Sequence, residues 1–220
     1  DEAEARIRPL FASACRSAEM VAHVVARKAA TTSVSSESRE EHKFGILVTE
    51  RNGGDAIDFI YRWLAALKPG GEFILCDPYF GPGDIGFVRL IRELHGKSRI
   101  TVLAGIKNLK DKQVPLPWSD TFRRAWKDES KDTPAGSCDI VLLGAAESGD
   151  PPFHERWLLH EKAGLRIGTS LNSLGKGKLS EITLMGPADS DARRDVLLNY
   201  ALRRERYWKG EMLHCDIFSL

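Results

Sequence analysis

Residues 153–185 read FHERWLLHEKAGLRIGTSLNSLGKGKLSEITLM and contain three short apolar runs. The runs occupy 153–160, 165–167 and 179–185, and turn-forming residues such as Gly, Ser and Asn separate them. Short apolar runs bounded by such residues are typical of strands joined by hairpins. The stretch therefore predicts an antiparallel or mixed patch of β-sheet.

Upstream of this stretch, short apolar strands alternate with amphipathic helices. The predicted strands lie at 44–49, 72–76, 100–106 and 139–143. The predicted helices lie at 54–67, 87–94 and 119–127. Short apolar strands separated by helices are typical of a sheet that is covered on both faces. The predicted fold class is therefore α/β, with a mixed β-sheet flanked by helices on both faces.

Both ends of the chain are predicted to be helical. Residues 3–30 have an apolar side and Ala-rich flanks, and the polar, aperiodic run 31–38 follows them as a linker. We therefore divide the chain into an N-terminal helical arm with its linker, 1–38, and an α/β domain, 39–220. An arginine-rich helix is predicted at 189–208, and its charge run is typical of a solvated helix face.

The charge balance and the cysteines restrict the classes of function. The chain has 220 residues, with 32 basic and 31 acidic side chains. It therefore lacks the overall basic excess that would indicate a nucleic-acid-binding protein. The four cysteines form no Cys-x-x-Cys pair, which argues against a zinc site, and Cys76 and Cys138 lie in apolar runs typical of reduced core thiols. No apolar run approaches the roughly 20 residues of a membrane span, and no signal peptide pattern precedes the first helix. These features predict a cytoplasmic location.

Two residues at the start of the quoted stretch have side chains suited to a phosphate group. On a strand through 153–160, His154 and Arg156 would point to the same face, about 6–7 Å apart along the strand. The guanidinium can hold two non-bridging oxygens, and the imidazole can attack phosphorus or donate a proton. A His-x-Arg pair is also common on strands without any function, so the pair alone does not define a site.

The residues that follow strengthen this interpretation. The run Gly168-Thr169-Ser170-Leu171-Asn172 begins with a small residue that lets a backbone approach a ligand closely. Its serine and asparagine, two apart, can face one side as hydroxyl and amide donors. Glu181 lies on the next predicted strand, where a carboxylate can hold a histidine ring in one tautomer. A β-hairpin with incidental polar residues in its turn explains the same pattern.

The spacing of these residues resembles the motif of the phospholipase D superfamily. That motif is His-x-Lys, four residues, Asp, a Gly-Ser-x-Asn turn and a downstream Glu. The similar residues here are His154-Glu155-Arg156, Glu161, Gly168-Thr169-Ser170-Leu171-Asn172 and Glu181. The strand end at 74–80 also resembles the compact branch of that superfamily with a single motif. That branch includes bacterial nuclease-like proteins and the phospholipase D-like domain at the C-terminus of some MIT-domain proteins.

The resemblance implies a phosphohistidine mechanism that uses no metal and no cofactor. In that family two motifs normally meet across a two-fold axis, and one histidine attacks phosphorus while the other protonates the leaving oxygen. A single motif implies a homodimer joined through the motif face. By this resemblance His154 is the nucleophile or the acid, and Glu181 orients it. The implied phosphate-binding residues are Arg156, Thr169, Ser170 and Asn172.

Three positions depart from the family pattern. Arg156 replaces the lysine, and Glu161 replaces the aspartate. The turn is one residue longer before Asn172, which leaves Thr169 and Ser170 as alternative phosphate hydroxyls. Arginine at this place also occurs in branches of the family that bind lipid phosphate groups.

Three functions are compatible with these features. The first is a metal-independent phosphodiesterase, most simply a nuclease in a bacterial defence or DNA-processing system and part of a larger protein or complex. The second is a non-catalytic module that binds phosphoinositide head groups at a membrane or a nucleic-acid backbone. The third is an interaction domain with a vestigial motif. Asp77, which follows a predicted strand and precedes Pro78, is explained equally by a place in the pocket and by turn formation.

Overall fold

The computed structural model describes residues 45–49, 53–130, 136–174 and 179–220. Within these ranges nine strands form one sheet, in the order β1-β7-β6-β5-β2-β3-β4-β9-β8. The strands are β1 (Gly45–Val48), β2 (Glu72–Asp77), β3 (Arg99–Gly105), β4 (Cys138–Ala145), β5 (Arg156–His160), β6 (Ala163–Ile167), β7 (Ser180–Met185), β8 (Tyr207–Trp208) and β9 (Glu211–Ser219).

Five α-helices of the described chain connect and cover these strands. They are α1 (Gly53–Ala66), α2 (Ile85–Leu94), α3 (Ile106–Asp111), α4 (Trp118–Glu129) and α5 (Pro187–Ala201). Single 3-10 turns lie at Pro82–Asp84 and Leu171–Ser173. No helix among the described residues is both long enough and apolar enough to cross a bilayer.

The sheet is mixed. Strands β2, β3 and β4 are parallel neighbours, joined by helical crossovers, and all the other pairs are antiparallel. The parallel strands are almost fully buried, as expected where helices cover both faces of a sheet. The antiparallel strands β5, β6 and β7 come from the quoted stretch and extend the sheet from β2.

Two apolar cores lie on opposite faces of this sheet. The larger core contains Ile60 of α1, Ile91 of α2 and Phe122 of α4, packed on strand residues such as Leu75. The smaller core lies under α5 and contains Leu197. Helices therefore flank both faces, and the predicted α/β class with a mixed sheet is confirmed.

The structure corrects several boundaries of the predicted elements. The strand predicted at 153–160 begins at Arg156, so His154 lies in the loop before it. The helix predicted at 189–208 ends at Ala201, and strands β8 and β9 follow it. The short helix α3 was not predicted. The predicted N-terminal arm and linker, 1–38, lie outside the described residues.

Candidate functional site

The site begins where β5 leaves the loop and lies beside the end of β2. Cys76 pairs with Trp157 in the antiparallel register, which places Asp77 alongside Arg156. Arg156 Nε lies 3.5 Å from Asp77 Oδ1. The Asp77 side chain is fully buried and that of Arg156 is 18% exposed. A charge buried to this degree needs close partners, because its loss of hydration is otherwise uncompensated.

The Asp77 carboxylate collects donors from two further segments. Its Oδ1 accepts a 2.8 Å hydrogen bond from the backbone N–H of Tyr79. Its Oδ2 accepts 2.8 Å from the Ser170 hydroxyl and 3.2 Å from the Leu171 backbone N–H. Asp77 therefore fixes the end of β2, the first residue of β5 and the turn after β6 relative to one another.

The guanidinium of Arg156 keeps donors available. Its Cζ lies 5.0 Å from the centroid of the Tyr79 ring, so an aromatic face covers one side of it. Its Nε is buried and forms no hydrogen bond. Although the side chain is partly exposed, it donates no hydrogen bond within the described part of the chain. It can therefore offer its terminal NH₂ groups to an anion.

His154 is exposed in the loop immediately before β5. Its imidazole makes no hydrogen bond or ion pair with any residue that the structure describes. Because His154 is not on the strand, the alternation of strand side chains does not fix its direction. The predicted shared face of His154 and Arg156 therefore stays a prediction, although two peptide units keep the residues close.

Glu181 lies on the other face of the sheet from Arg156. Arg156 pairs with Ile167, and Ile167 pairs with Ile182, so these three side chains share a face. Neighbouring residues of a strand alternate, which turns the exposed Glu181 to the opposite face. Within one subunit, the structure shows no contact between Glu181 and His154 among the described residues. The orienting role of Glu181 stays a prediction.

The turn after β6 is packed tightly against β7. The Gly168 backbone N–H donates a 2.8 Å hydrogen bond to the carbonyl of Glu181. A Cβ at Gly168 would lie 2.7 Å from Ser180 Oγ and 3.0 Å from that carbonyl oxygen. Close approach of the protein's own backbone, rather than of a ligand, thus explains the small residue at this position. Ser170 is buried and its hydroxyl donates a hydrogen bond to Asp77, whereas Thr169 is half-buried.

Asn172 and Glu161 complete the positions named from the sequence. Asn172 lies in the 3-10 turn that follows Ser170, and its side chain is outside the description. Glu161 is exposed in the β5–β6 turn with a φ of 48°, at the far end of β5 from Arg156. The structure thus brings Arg156 and Ser170 together through Asp77, and it separates Glu161 and Glu181 from them.

Neighbouring ionisable groups do not supply a competing nucleophile or a metal site. Burial raises the pKa of the Cys76 thiol well above its ordinary value, and the Asp77 charge adds to this effect while Arg156 opposes it. Cys76 therefore stays protonated and unreactive at neutral pH. His160 is held by the Gly70 carbonyl at 2.8 Å and by the Phe73 ring at 4.4 Å, which makes it structural. In the described ranges no cluster of three or more His, Cys, Asp or Glu could hold a metal ion.

Sequence reasoning left Asp77 undecided and missed Tyr79. The available signal was the segment Asp77-Pro78-Tyr79, which follows an apolar strand. A buried aspartate at the end of a strand needs hydrogen-bond donors from the turn that follows it. The distance in sequence, 93 residues from Asp77 to Ser170, hides their contact from any local pattern.

Comparisons with known proteins give similarity at the level of structures. No protein-family model matches the chain, and no curated protein sequence matches it. TrmBL2, described as an archaeal chromatin protein with a novel mode of DNA binding, has a TM-score of 0.41 at 10% identity, over 92% of this chain and 66% of that one. NucT from Helicobacter pylori has a TM-score of 0.45 at 10% identity, over 77% of this chain and 99% of that one.

A third similar structure is the phosphatidylserine synthase of Haemophilus influenzae Rd KW20. Its TM-score is 0.48 at 13% identity, over 79% of this chain and 39% of that one. The chain therefore spans well under half of the synthase and about two thirds of TrmBL2. At TM-scores below 0.5, none of these similarities assigns an activity or a substrate to this chain.

Proposed function

We propose that this protein is a metal-independent phosphodiesterase of the phospholipase D type that acts on nucleic acid. The observation that carries the proposal is the arrangement of Arg156, with donors available and a position fixed by Asp77, beside the exposed His154. A phosphodiester placed over Arg156 would meet a guanidinium fork, and His154, two residues away in the loop before β5, can supply an imidazole. These are the two groups that a phosphohistidine reaction needs.

The reaction proceeds in two steps. In the first, an unprotonated nitrogen of His154 attacks phosphorus, the bond from phosphorus to the leaving oxygen breaks, and that oxygen takes a proton from a general acid. In the second, water attacks the phosphohistidine and gives a proton to the group that acted as the acid, while the P–N bond breaks to release the phosphate product and restore His154. Arg156 holds two non-bridging oxygens throughout and stabilises their developing charge.

The general acid is assigned to His154 of a second copy of the chain. One subunit carries one motif, and the described carboxylates near Arg156 are either committed, as Asp77 is, or turned to the other face, as Glu181 is. A two-fold dimer joined through the motif face supplies a second imidazole without any further residue.

The first test is hydrolysis in excess EDTA. Single-stranded DNA, double-stranded DNA, RNA and a chromogenic phosphodiester are incubated with the wild type, with His154→Ala and with His214→Ala. His214 is also an exposed histidine but lies on β9, four strands away from β5 in the sheet, which makes it a matched control. We expect His154→Ala to lower kcat by at least about 10³-fold because the nucleophile is lost.

The outcome shows whether hydrolysis depends on His154 and whether it depends on a metal ion. Activity that survives EDTA and His214→Ala but disappears in His154→Ala supports the phosphohistidine mechanism. Activity that EDTA abolishes, or that His154→Ala retains, contradicts it.

A non-catalytic phosphate-binding module is the second candidate. Two observations favour a binding module. Asp77 already balances the charge of Arg156, and Glu181 lies on the opposite face of the sheet from Arg156, where it does not orient a histidine beside that residue. A module of this kind binds phosphate ligands without turnover, and Arg156→Lys weakens that binding because the bidentate fork is lost. Absence of hydrolysis together with Arg156-dependent binding, to phosphoinositide vesicles or to oligonucleotides, would select this function.

A further inference from the structure

The sheet face opposite Arg156 has a recess that the proposed reaction does not use. Its cavity volume is about 410 Å³, within the usual range for small-molecule sites. It lies over strands β5, β6 and β7 and beside helix α5. Among the residues that line it are Glu155, Trp157, Arg166, Thr183, Asp189 and Arg193.

Three side chains form the floor of this recess. Trp157 of β5 pairs with Arg166 of β6, and Arg166 pairs with Thr183 of β7. Residues paired in this way share a face, so indole, guanidinium and hydroxyl lie side by side. Neighbouring strands are about 4.8 Å apart, which makes this row about 10 Å wide.

Helix α5 forms one wall, and a glycine lets it approach. A Cβ at Gly164 would lie 2.8 Å from Ser190 Oγ on that helix. The same close packing brings Arg193 over the floor, where its Cζ lies 5.9 Å from the centroid of the Trp157 ring. Asp189 lines the recess from the first turn of the helix.

The charges of the recess balance. Arg166 Nε lies 3.3 Å from Glu155 Oε2, and both side chains are about half exposed. Asp189 and Arg193 add one charge of each sign. Two carboxylates disfavour a phosphate group here, whereas carboxylates, guanidinium groups and a hydroxyl together offer both acceptors and donors to a neutral polar ring. The Arg193 guanidinium, which lies over the Trp157 indole, adds a planar cationic surface for stacking.

We propose that this recess binds a nucleobase next to the reacting phosphodiester. Glu155, at its rim, is the residue between His154 and Arg156, and Trp157 is three residues from His154. Three residues span at most about 10 Å between Cα atoms, so a strand that curves around the start of β5 can bring a base next to the bound phosphate to the Trp157 side of the sheet. This assignment rests on the proposed nucleic-acid substrate and extends it to base contacts.

The test compares oligonucleotides that carry bases with abasic ones of the same length and charge. Fluorescein-labelled single strands of each kind are titrated against the wild type, Thr183→Val, Arg166→Gln and Trp157→Phe. We expect Thr183→Val and Arg166→Gln each to weaken binding of the base-bearing strand about tenfold, the effect of one lost polar contact, and to leave the abasic strand unchanged. Trp157→Phe keeps a stacking ring and retains most of the affinity.

The matched control is Arg99→Gln. Arg99 is 56% exposed against 55% for Arg166, and each is a strand residue in an ion pair. Arg99 is the first residue of β3, which lies two strands away from β5 and outside the recess. It should leave both titrations unchanged. The nucleobase site is overturned if the recess variants lose equal affinity for the base-bearing and the abasic strand, or lose affinity for neither. In that case hydrolysis of oligonucleotides by the wild type still leaves the proposed function intact. If no oligonucleotide is bound or cleaved, the proposed function fails, and titration with free nucleosides then tests the recess by itself.

Discussion

Asp77 is the residue through which the three segments of the site hold together. Its one carboxylate receives the backbone N–H of Tyr79, the hydroxyl of Ser170 and the backbone N–H of Leu171, and it pairs with Arg156. Ser170 and Leu171 are consecutive, but Tyr79 and Arg156 lie in other segments, so the sequence alone does not reveal that one carboxylate joins them. The motif predicted Arg156 and Ser170 as phosphate ligands, whereas their joint dependence on a buried carboxylate becomes visible only in three dimensions.

Replacement of Asp77 tests this dependence. Asp77→Ala leaves a buried guanidinium and several donors without an acceptor, and we expect it to lower the free energy of unfolding by about 3–5 kcal/mol. Asp77→Asn keeps one oxygen and should cost about 2 kcal/mol. Urea denaturation measures both.

The control for Asp77 is Asp120→Ala in α4. Asp120 is 62% exposed and its pair with Arg123 has a 3.8 Å separation, so its loss should change stability by less than about 1 kcal/mol. Similar losses for Asp77 and Asp120 would show that the buried carboxylate does not organise the site.

At the scale of elements, the quoted stretch determines where β5, β6 and β7 lie, and the sequence predicted all three strands. The short apolar runs bounded by turn residues carried that information, because such runs are typical of strands joined by hairpins. The end of the chain was predicted wrongly because 202–208 contain no Gly or Pro to stop a helix. The helix nevertheless ends, Arg203 adopts a φ of 56°, and the hairpin turn Lys209-Gly210 has φ values of 51° and 83°. Lys209-Gly210 was the available signal for this hairpin.

The turn between β6 and β7 gives a prediction at this scale. Gly168→Ala brings a methyl group within 3.0 Å of the Glu181 carbonyl oxygen, so we expect a loss of roughly 1–2 kcal/mol in stability and a displaced turn. The displacement should break the hydrogen bond from Ser170 to Asp77 and loosen Arg156, so we expect weaker phosphate binding, which isothermal titration with a phosphodiester measures.

Gly186→Ala is the corresponding control. Nothing lies within 4 Å of a Cβ at Gly186, and its φ of −68° suits any residue. That variant should keep wild-type stability and binding. An effect of Gly168→Ala no larger than that of Gly186→Ala would show that the close approach at the turn is not needed.

At the scale of the whole molecule, the sheet has one continuous row of parallel strands and an antiparallel extension that carries the motif. The order of short apolar strands and helices along the chain predicted a covered sheet, and two cores on opposite faces confirm it. The order of the strands could not be predicted, since β1 pairs with β7 and β4 with β9, which are far apart in the sequence. Such pairings depend on long-range packing rather than on local preference.

The proposed dimer makes a prediction that concerns the whole assembly. If both His154 side chains are needed, an equal mixture of wild type and His154→Ala, exchanged to equilibrium, contains about one quarter fully wild-type dimers. Its activity should therefore be about one quarter of that of the same total amount of wild type. Activity of one half, together with a monomeric mass in light scattering, would show that each subunit works alone.

The alternation of side chains along β5 has a consequence for the shape of the ligand. Arg156 and Trp157 are consecutive residues, yet they open onto opposite sides of the sheet. A ligand that touches both must curve around the rim where β5 begins. A double helix, with a persistence length of about 150 base pairs, is too stiff to follow so sharp a bend. Selectivity for flexible, single-stranded polymers would then follow from the stiffness of the ligand, before any group on it is recognised.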